Sequence, residues 1–109
     1  MNFLQTDLWA GPQDEVQVDL DAQANVLLLD DPNFSLYQQG RSFTYYGGWT
    51  TRSPVRLSPP HQGRWNVVID LGRRAGRVKA SIRLLRPVIA ARNTDVPSGN
   101  DDEPRAAGQ

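Results

Sequence analysis

The chain has 109 residues and no cysteine, which allows one domain with one core and excludes a disulfide framework, a thiolate nucleophile and a cysteine-held metal. Its formal net charge of zero is a sum of unlike parts. The first forty residues hold seven acidic side chains and no basic one, eleven of the twelve Lys and Arg lie between Arg41 and Arg92, and residues 93–109 are acidic again. A fold that joins the first two stretches neutralises charge internally; one that leaves the arginines on a face displays a patch able to hold an anion. Neither outcome names an activity.

In chain order, residues 15–21 alternate strictly, with Val16, Val18 and Leu20 on one face and acidic or amide groups on the other, the pattern of a strand with one wet side. Residues 25–30 form a continuous apolar run too short for a typical helix, which predicts a strand buried on both faces or near a sheet centre. A short helical insertion follows over residues 31–40: Asp31 can cap it, Pro32 suits its first turn and Gly40 can stop it, with Phe34 and Tyr37 on one side. Residues 42–46 suit a strand ending at Gly47-Gly48, and residues 49–57 another, interrupted near Pro54 and so placed at an edge. Residues 58–63 read as a rigid turn. Residues 65–71 and 78–85 are the remaining strands, joined through Gly72 and Gly76 and expected to pair antiparallel. The second of them places Val78, Ala80, Ile82 and Leu84 inward, with Lys79 and Arg83 outward. After Pro87 the periodicity fades into an acidic segment with the composition of a disordered tail. The expected organisation is therefore one domain over residues 1–88 and a tail over residues 89–109, whose Asp101, Asp102 and Glu103 read as a solvated terminus rather than a cover for the arginines.

The fold class that follows is all-β: a small antiparallel β-sandwich of six to eight strands with one short helical insertion, its rival being a small β-barrel, because short strands and Gly/Pro turns suit both.

Chemistry-bearing groups are few. His61 is the only histidine, which excludes a multi-histidine metal site in one subunit, and no Ser lies in a nucleophile-elbow pattern. Gly47-Gly48 lacks the spacing and lysine of a phosphate-cradling loop. Asp30 and Asp31 sit where capping explains them, and Asp7, Asp19 and Asp21, which could approach across strands, lack calcium-loop spacing. No catalytic residue, metal or cofactor is expected. The candidate binding residues are Tyr45, Tyr46 and Trp49 around the two glycines, Arg52, His61 and Arg64, and the cluster Arg73, Arg74 and Arg77 around a turn. Guanidinium groups hold phosphate or carboxylate through a bidentate fork, and an exposed tyrosine can add base stacking.

A wider pattern supports the fold. Asn2-Phe3, Tyr45-Tyr46-Gly47-Gly48, Ser53-Pro54, His61-Gln62-Gly63-Arg64-Trp65, Val67-Val68-Ile69-Asp70-Leu71-Gly72 and Ala75-Gly76-Arg77-Val78 resemble the bacterial domain-of-unknown-function family numbered 1883 over residues 1–86. The resemblance implies a compact all-β domain, found alone or joined to signalling domains of the Toll/interleukin-1 receptor type, and carries no activity, cofactor or catalytic residue.

The functional expectation is a non-catalytic protein-interaction or accessory binding module in the bacterial cytoplasm. The alternatives are single-stranded nucleic-acid binding and an enzyme acting on a small anionic substrate. No window reaches the apolar length of a membrane span and no basic, apolar leader precedes Asp7, so neither a membrane nor a secretion signal is expected. Self-association is a further expectation, through the irregular edge at Pro54 or the opposite charge blocks.

Overall fold

The computed structural model describes residues 2–87. The expected tail over residues 89–109 lies outside the described residues. Seven strands and one helix follow in the order β1 (Phe3–Ala10), β2 (Glu15–Leu20), β3 (Ala24–Leu29), α1 (Asp31–Gln38), β4 (Tyr46–Thr50), β5 (Val55–Leu57), β6 (Gly63–Asp70) and β7 (Ala80–Leu85). They form two antiparallel sheets, a larger one ordered β1-β6-β3-β4 and a smaller one ordered β5-β2-β7. The sandwich reading holds, and the barrel does not, because β1 and β7 each end a sheet and are not hydrogen-bonded to each other.

Strand alternation explains the core. Val16 and Val18 from β2, Val26 and Leu28 from β3, and Trp65, Val67 and Ile69 from β6 meet between the sheets, each essentially without solvent contact. Ala80, Ile82 and Leu84 of β7 pack against them, as the alternation requires. The apolar run in β3 is buried on both sides for a reason the strand itself does not contain: α1 lies over the outer face of the larger sheet. There Leu27, Leu29 and Val68 pack against Phe3, Phe34, Tyr37 and Phe43. Edge-to-face contacts of Tyr37 with Phe3 and Phe43, both with centroids 5.3 Å apart, fix the helix to this face.

Several expectations are corrected. The helix is capped by Asp30, whose Oδ1 accepts from the Asn33 backbone N–H at 3.0 Å; Asp31 is the first helical residue and is left free for an ion pair. Gly40 follows the helix in a left-handed conformation. Residues 41–45 form no strand; β4 begins at Tyr46 and runs through Gly47 and Gly48, which adopt positive φ within it. The expected strand over residues 49–57 is divided between β4 and the short β5, and Pro54 does precede an edge strand. The segments around Trp65 and Ile82 are not a hairpin. Both edges of β6 are occupied, by β1 and β3, so the chain crosses to the smaller sheet, where β7 pairs with β2. The polar side of β2 is only partly wet: Gln17 is buried and bonds Asp19 at 3.3 Å and Arg56 at 3.2 Å. β1, whose residues show no clean alternation, is the longest strand together with β6.

Candidate functional site: a basic pole

Strand register gathers the strand ends at two poles. The start of β1 and the start of β3 both lie opposite the end of β6, with Phe3 and Asn25 each facing Asp70, and Asn25 in turn faces Trp49 near the end of β4. The end of β2 faces the start of β7 through Leu20 and Ala80, and the Leu20 N–H donates to Ser53 Oγ at 2.8 Å, which brings in the turn that carries Arg52. The turn after β6, with Arg73, Arg74 and Arg77, closes this same pole.

Asp70 organises it. The carboxylate is buried and accepts from Asn25 Nδ2 at 2.8 Å, the Gly72 N–H at 2.9 Å and the Tyr37 hydroxyl at 2.6 Å. Burial foremost, then the hydrogen bond to Asp70 and its negative charge, push the Tyr37 hydroxyl well above the ordinary tyrosine range. The only acid between Arg41 and Arg92 is thus spent on the scaffold and offers nothing to the surrounding arginines.

The charge blocks meet, but incompletely. Arg64 pairs with Asp7 and, at 3.6 Å, with Asp31; Arg83 reaches Asp19 at 3.7 Å; Arg86 reaches Asp14 at 3.6 Å. Asp21 accepts the Lys79 backbone N–H at 2.7 Å and leaves the ammonium unengaged. Arg41, Arg52, Arg73, Arg74, Arg77 and Lys79 have no ion pair among the described residues. All six are exposed. The Arg74 guanidinium lies 4.6 Å from the centroid of the Trp49 ring, so the indole holds this arginine at the surface. Arg41 and Tyr45 share a crevice of about 350 Å³ with Tyr37, Phe43 and Asp70.

The remaining candidates fall elsewhere. Arg64 and His61 belong to the opposite end of β6, roughly 23 Å away at the rise of an extended strand. The His61 ring meets that of Trp65 at a tilt, with centroids 5.0 Å apart, and Trp65 Nε1 donates to the His61 carbonyl at 3.1 Å; the His61 Nδ1 lies 3.3 Å from the Gln62 carbonyl oxygen. Tyr45 and Tyr46 diverge as adjacent strand-entry residues should, Tyr45 against Phe43 and Tyr46 edge-on to Trp65, and both stay partly exposed. Asp7, Asp19 and Asp21 do not converge: each is engaged by a different basic residue. Among the described residues no group of three or more His, Asp or Glu side chains is placed to hold a metal ion, and no helix is long and apolar enough to cross a membrane. Sequence reasoning does not find Tyr37 and Asp70 as a pair; the isolation of Asp70 within the basic stretch is the one signal that points to it.

The fold and this pole define a small two-sheet β-sandwich domain with cations gathered at one end. The model of the family described as domain of unknown function (DUF1883) matches residues 2–88, and the chain belongs to that family. No curated protein and no solved structure matches it.

Proposed function

We propose that the protein is a non-catalytic binding module that docks an acidic segment of a partner protein on the pole formed by Arg41, Arg52, Arg73, Arg74 and Arg77. The observation that carries this reading is the segregation of charge. Arg64, Arg83 and Arg86 are matched to carboxylates, whereas the arginines of the pole are exposed without one among the described residues. Guanidinium groups are suited to bidentate carboxylate recognition. A protein partner fits better than a single-stranded nucleic acid because the candidate rings Tyr45, Tyr46 and Trp49 are already engaged. Trp49 lies under Arg74, Tyr46 meets Trp65 and Tyr45 meets Phe43, leaving no row of free rings for successive bases. A catalytic reading has less support, since His61 stands at the other end of β6 from the arginine cluster. A bacterial, cytoplasmic setting is part of the proposal and draws on the family resemblance and the absence of cysteine.

The test is a salt-dependent titration of the chain with a labelled acidic peptide, its neutral amide counterpart, and single-stranded DNA and RNA. Binding of the acidic peptide alone, weakened by salt and lost in Arg73→Ala/Arg77→Ala, is the expected result. Binding of the nucleic acids in preference to the peptide replaces this reading with the nucleic-acid one.

A further inference from the structure

Four strands end the two sheets, and three of them are defended against pairing with another chain. β4 carries Gly47 and Gly48 at φ of 108° and 142°, which breaks a regular ladder. β5 has three residues, and β7 carries outward Arg83. β1 has none of these devices. Its eight residues, FLQTDLWA, contain no Pro, Gly, Lys or Arg, and the one charge, Asp7, is taken up by Arg64. It also presents two large apolar side chains to water, Leu4 at 46% and Trp9 at 63% exposure. One carbonyl of the strand, that of Trp9, is met by Arg86 Nη2 at 3.3 Å; beyond its pairing with β6, β1 has no neighbouring strand among the described residues.

The geometry points to a second copy of this chain as the occupant, paired antiparallel β1 to β1 about a two-fold axis through Thr6, so that two four-stranded sheets become one of eight strands. Self-complementarity selects this partner and this register. A two-fold axis between identical antiparallel strands must pass through a residue facing itself, which leaves few choices. With Thr6 on the axis, Phe3 faces Trp9 of the second copy, Leu4 faces Leu8, the Gln5 amide faces the Asp7 carboxylate, and Thr6 faces Thr6. Each is a favourable cross-strand pair: aromatic with aromatic, aliphatic with aliphatic, donor with acceptor, hydroxyl with hydroxyl. Moving the axis to Asp7 opposes two carboxylates and places Gln5 against Trp9; moving it to Gln5 sets Phe3 against Asp7 and leaves Trp9 without a partner. The Thr6 axis also uses the side chains as they stand. Gln5 Nε2 donates to Asn66 Oδ1 at 2.9 Å and keeps a second hydrogen, and Asp7 keeps an oxygen beyond the one bound to Arg64. A seven-residue strand pair is smaller than the ~1,600 Å² of a standard interface, so the association is a concentration-dependent equilibrium rather than an obligate dimer. This inference is independent of the arginines of the basic pole, which lie in connections between strands and not on β1.

The chain has no cysteine, which makes the register directly readable. In an antiparallel pair, facing Cα atoms are about 4.5–5.5 Å apart, within the span of a disulfide. The full chain carrying Thr6→Cys, at an exposed edge position, is expected to form a homodimeric disulfide under mild oxidation. Gln5→Cys is expected not to, because the two substituted positions lie roughly 8 Å apart. Sedimentation velocity of the unsubstituted full chain is expected to show a monomer–dimer shift with concentration, lost in Thr6→Lys, which opposes two ammonium groups on the axis. A monomer at all concentrations, including one whose edge is covered by its own residues after Pro87, overturns the proposal. So does equal cross-linking of Thr6→Cys and Gln5→Cys.

Discussion

The Tyr37 hydroxyl donates a 2.6 Å hydrogen bond to Asp70 Oδ2, tying α1 to the end of β6, an interior strand of the larger sheet. The bond joins the layer outside the sandwich to the pole where the unmatched cations lie. Removing the hydroxyl in Tyr37→Phe takes one of three donors from a buried carboxylate while keeping the ring contacts with Phe3 and Phe43. A hydrogen bond to a charged group contributes about 1.5–3 kcal/mol, and urea unfolding of Tyr37→Phe is expected to show a loss in that range. An unchanged midpoint would mean that water replaces the phenol without cost.

The same pair sets a pH dependence. The folded state holds the Tyr37 proton more tightly than the unfolded chain does, because burial and Asp70 both disfavour the phenolate. Its contribution is therefore complete below the unfolded value of about 10 and declines as pH rises above it. Stability curves of the wild type and Tyr37→Phe are expected to stay a constant distance apart up to about pH 10 and to converge above it. Curves that converge between pH 5 and 8 instead would assign the effect to a different group.

Gly47 and Gly48 are adjacent but not equivalent. A Cβ on Gly47 would run into the Val26 carbonyl oxygen across the ladder, while a Cβ on Gly48 meets open space; both residues hold positive φ. Gly48→Ala is expected to cost about 1–2 kcal/mol, the backbone strain alone, and Gly47→Ala about 3 kcal/mol or more, since backbone must also move. Thermal unfolding of the two variants measures the difference, and equal losses would show that strand β4 relaxes away from β3.

Arg64 and Arg73 separate internal neutralisation from display. Arg64 pairs with Asp7 and Asp31 with roughly half of each side chain exposed, so Arg64→Ala is expected to cost at most about 1 kcal/mol, less in high salt. Arg73→Ala breaks no ion pair among the described residues and is expected to leave stability within about 0.5 kcal/mol. Denaturant titrations at low and high salt check both; a salt-sensitive loss in Arg73→Ala would reveal a carboxylate partner.

Residues whose surroundings follow from alternation are legible in the sequence itself. Val16, Val18, Ile82 and Leu84 face the core because strand side chains alternate, and the run from Val26 to Leu29 announces two buried faces. The helix is legible too, displaced by one residue at its cap, where Asp30 and Asp31 offer the same side chain and only the backbone conformation separates them. The glycine pair misleads because glycine reads as a strand breaker; in β4 Gly47 is required by close approach to the Val26 carbonyl of β3, a relation with a residue about twenty positions away, and Gly48 by its positive φ.

Strand partnership is the step that local pattern does not supply. A short Gly-containing turn between two apolar strands has the appearance of a hairpin, yet β6 is already flanked by β1 and β3, so β7 must leave for the other sheet. The candidate site inherits that limit. Arg64 and Arg73 are nine positions apart in sequence, but an extended strand carries them to opposite poles, where one is neutralised by Asp7 and Asp31 and the other is not. By itself the sequence determined which side chains leave water and that the charge is divided into blocks, because periodicity and composition are local properties. Which arginines meet a carboxylate, and which strand edge stays open among the described residues, was decided only by tertiary structure, because pairing joins residues 37 to 67 positions apart whose proximity no local pattern encodes.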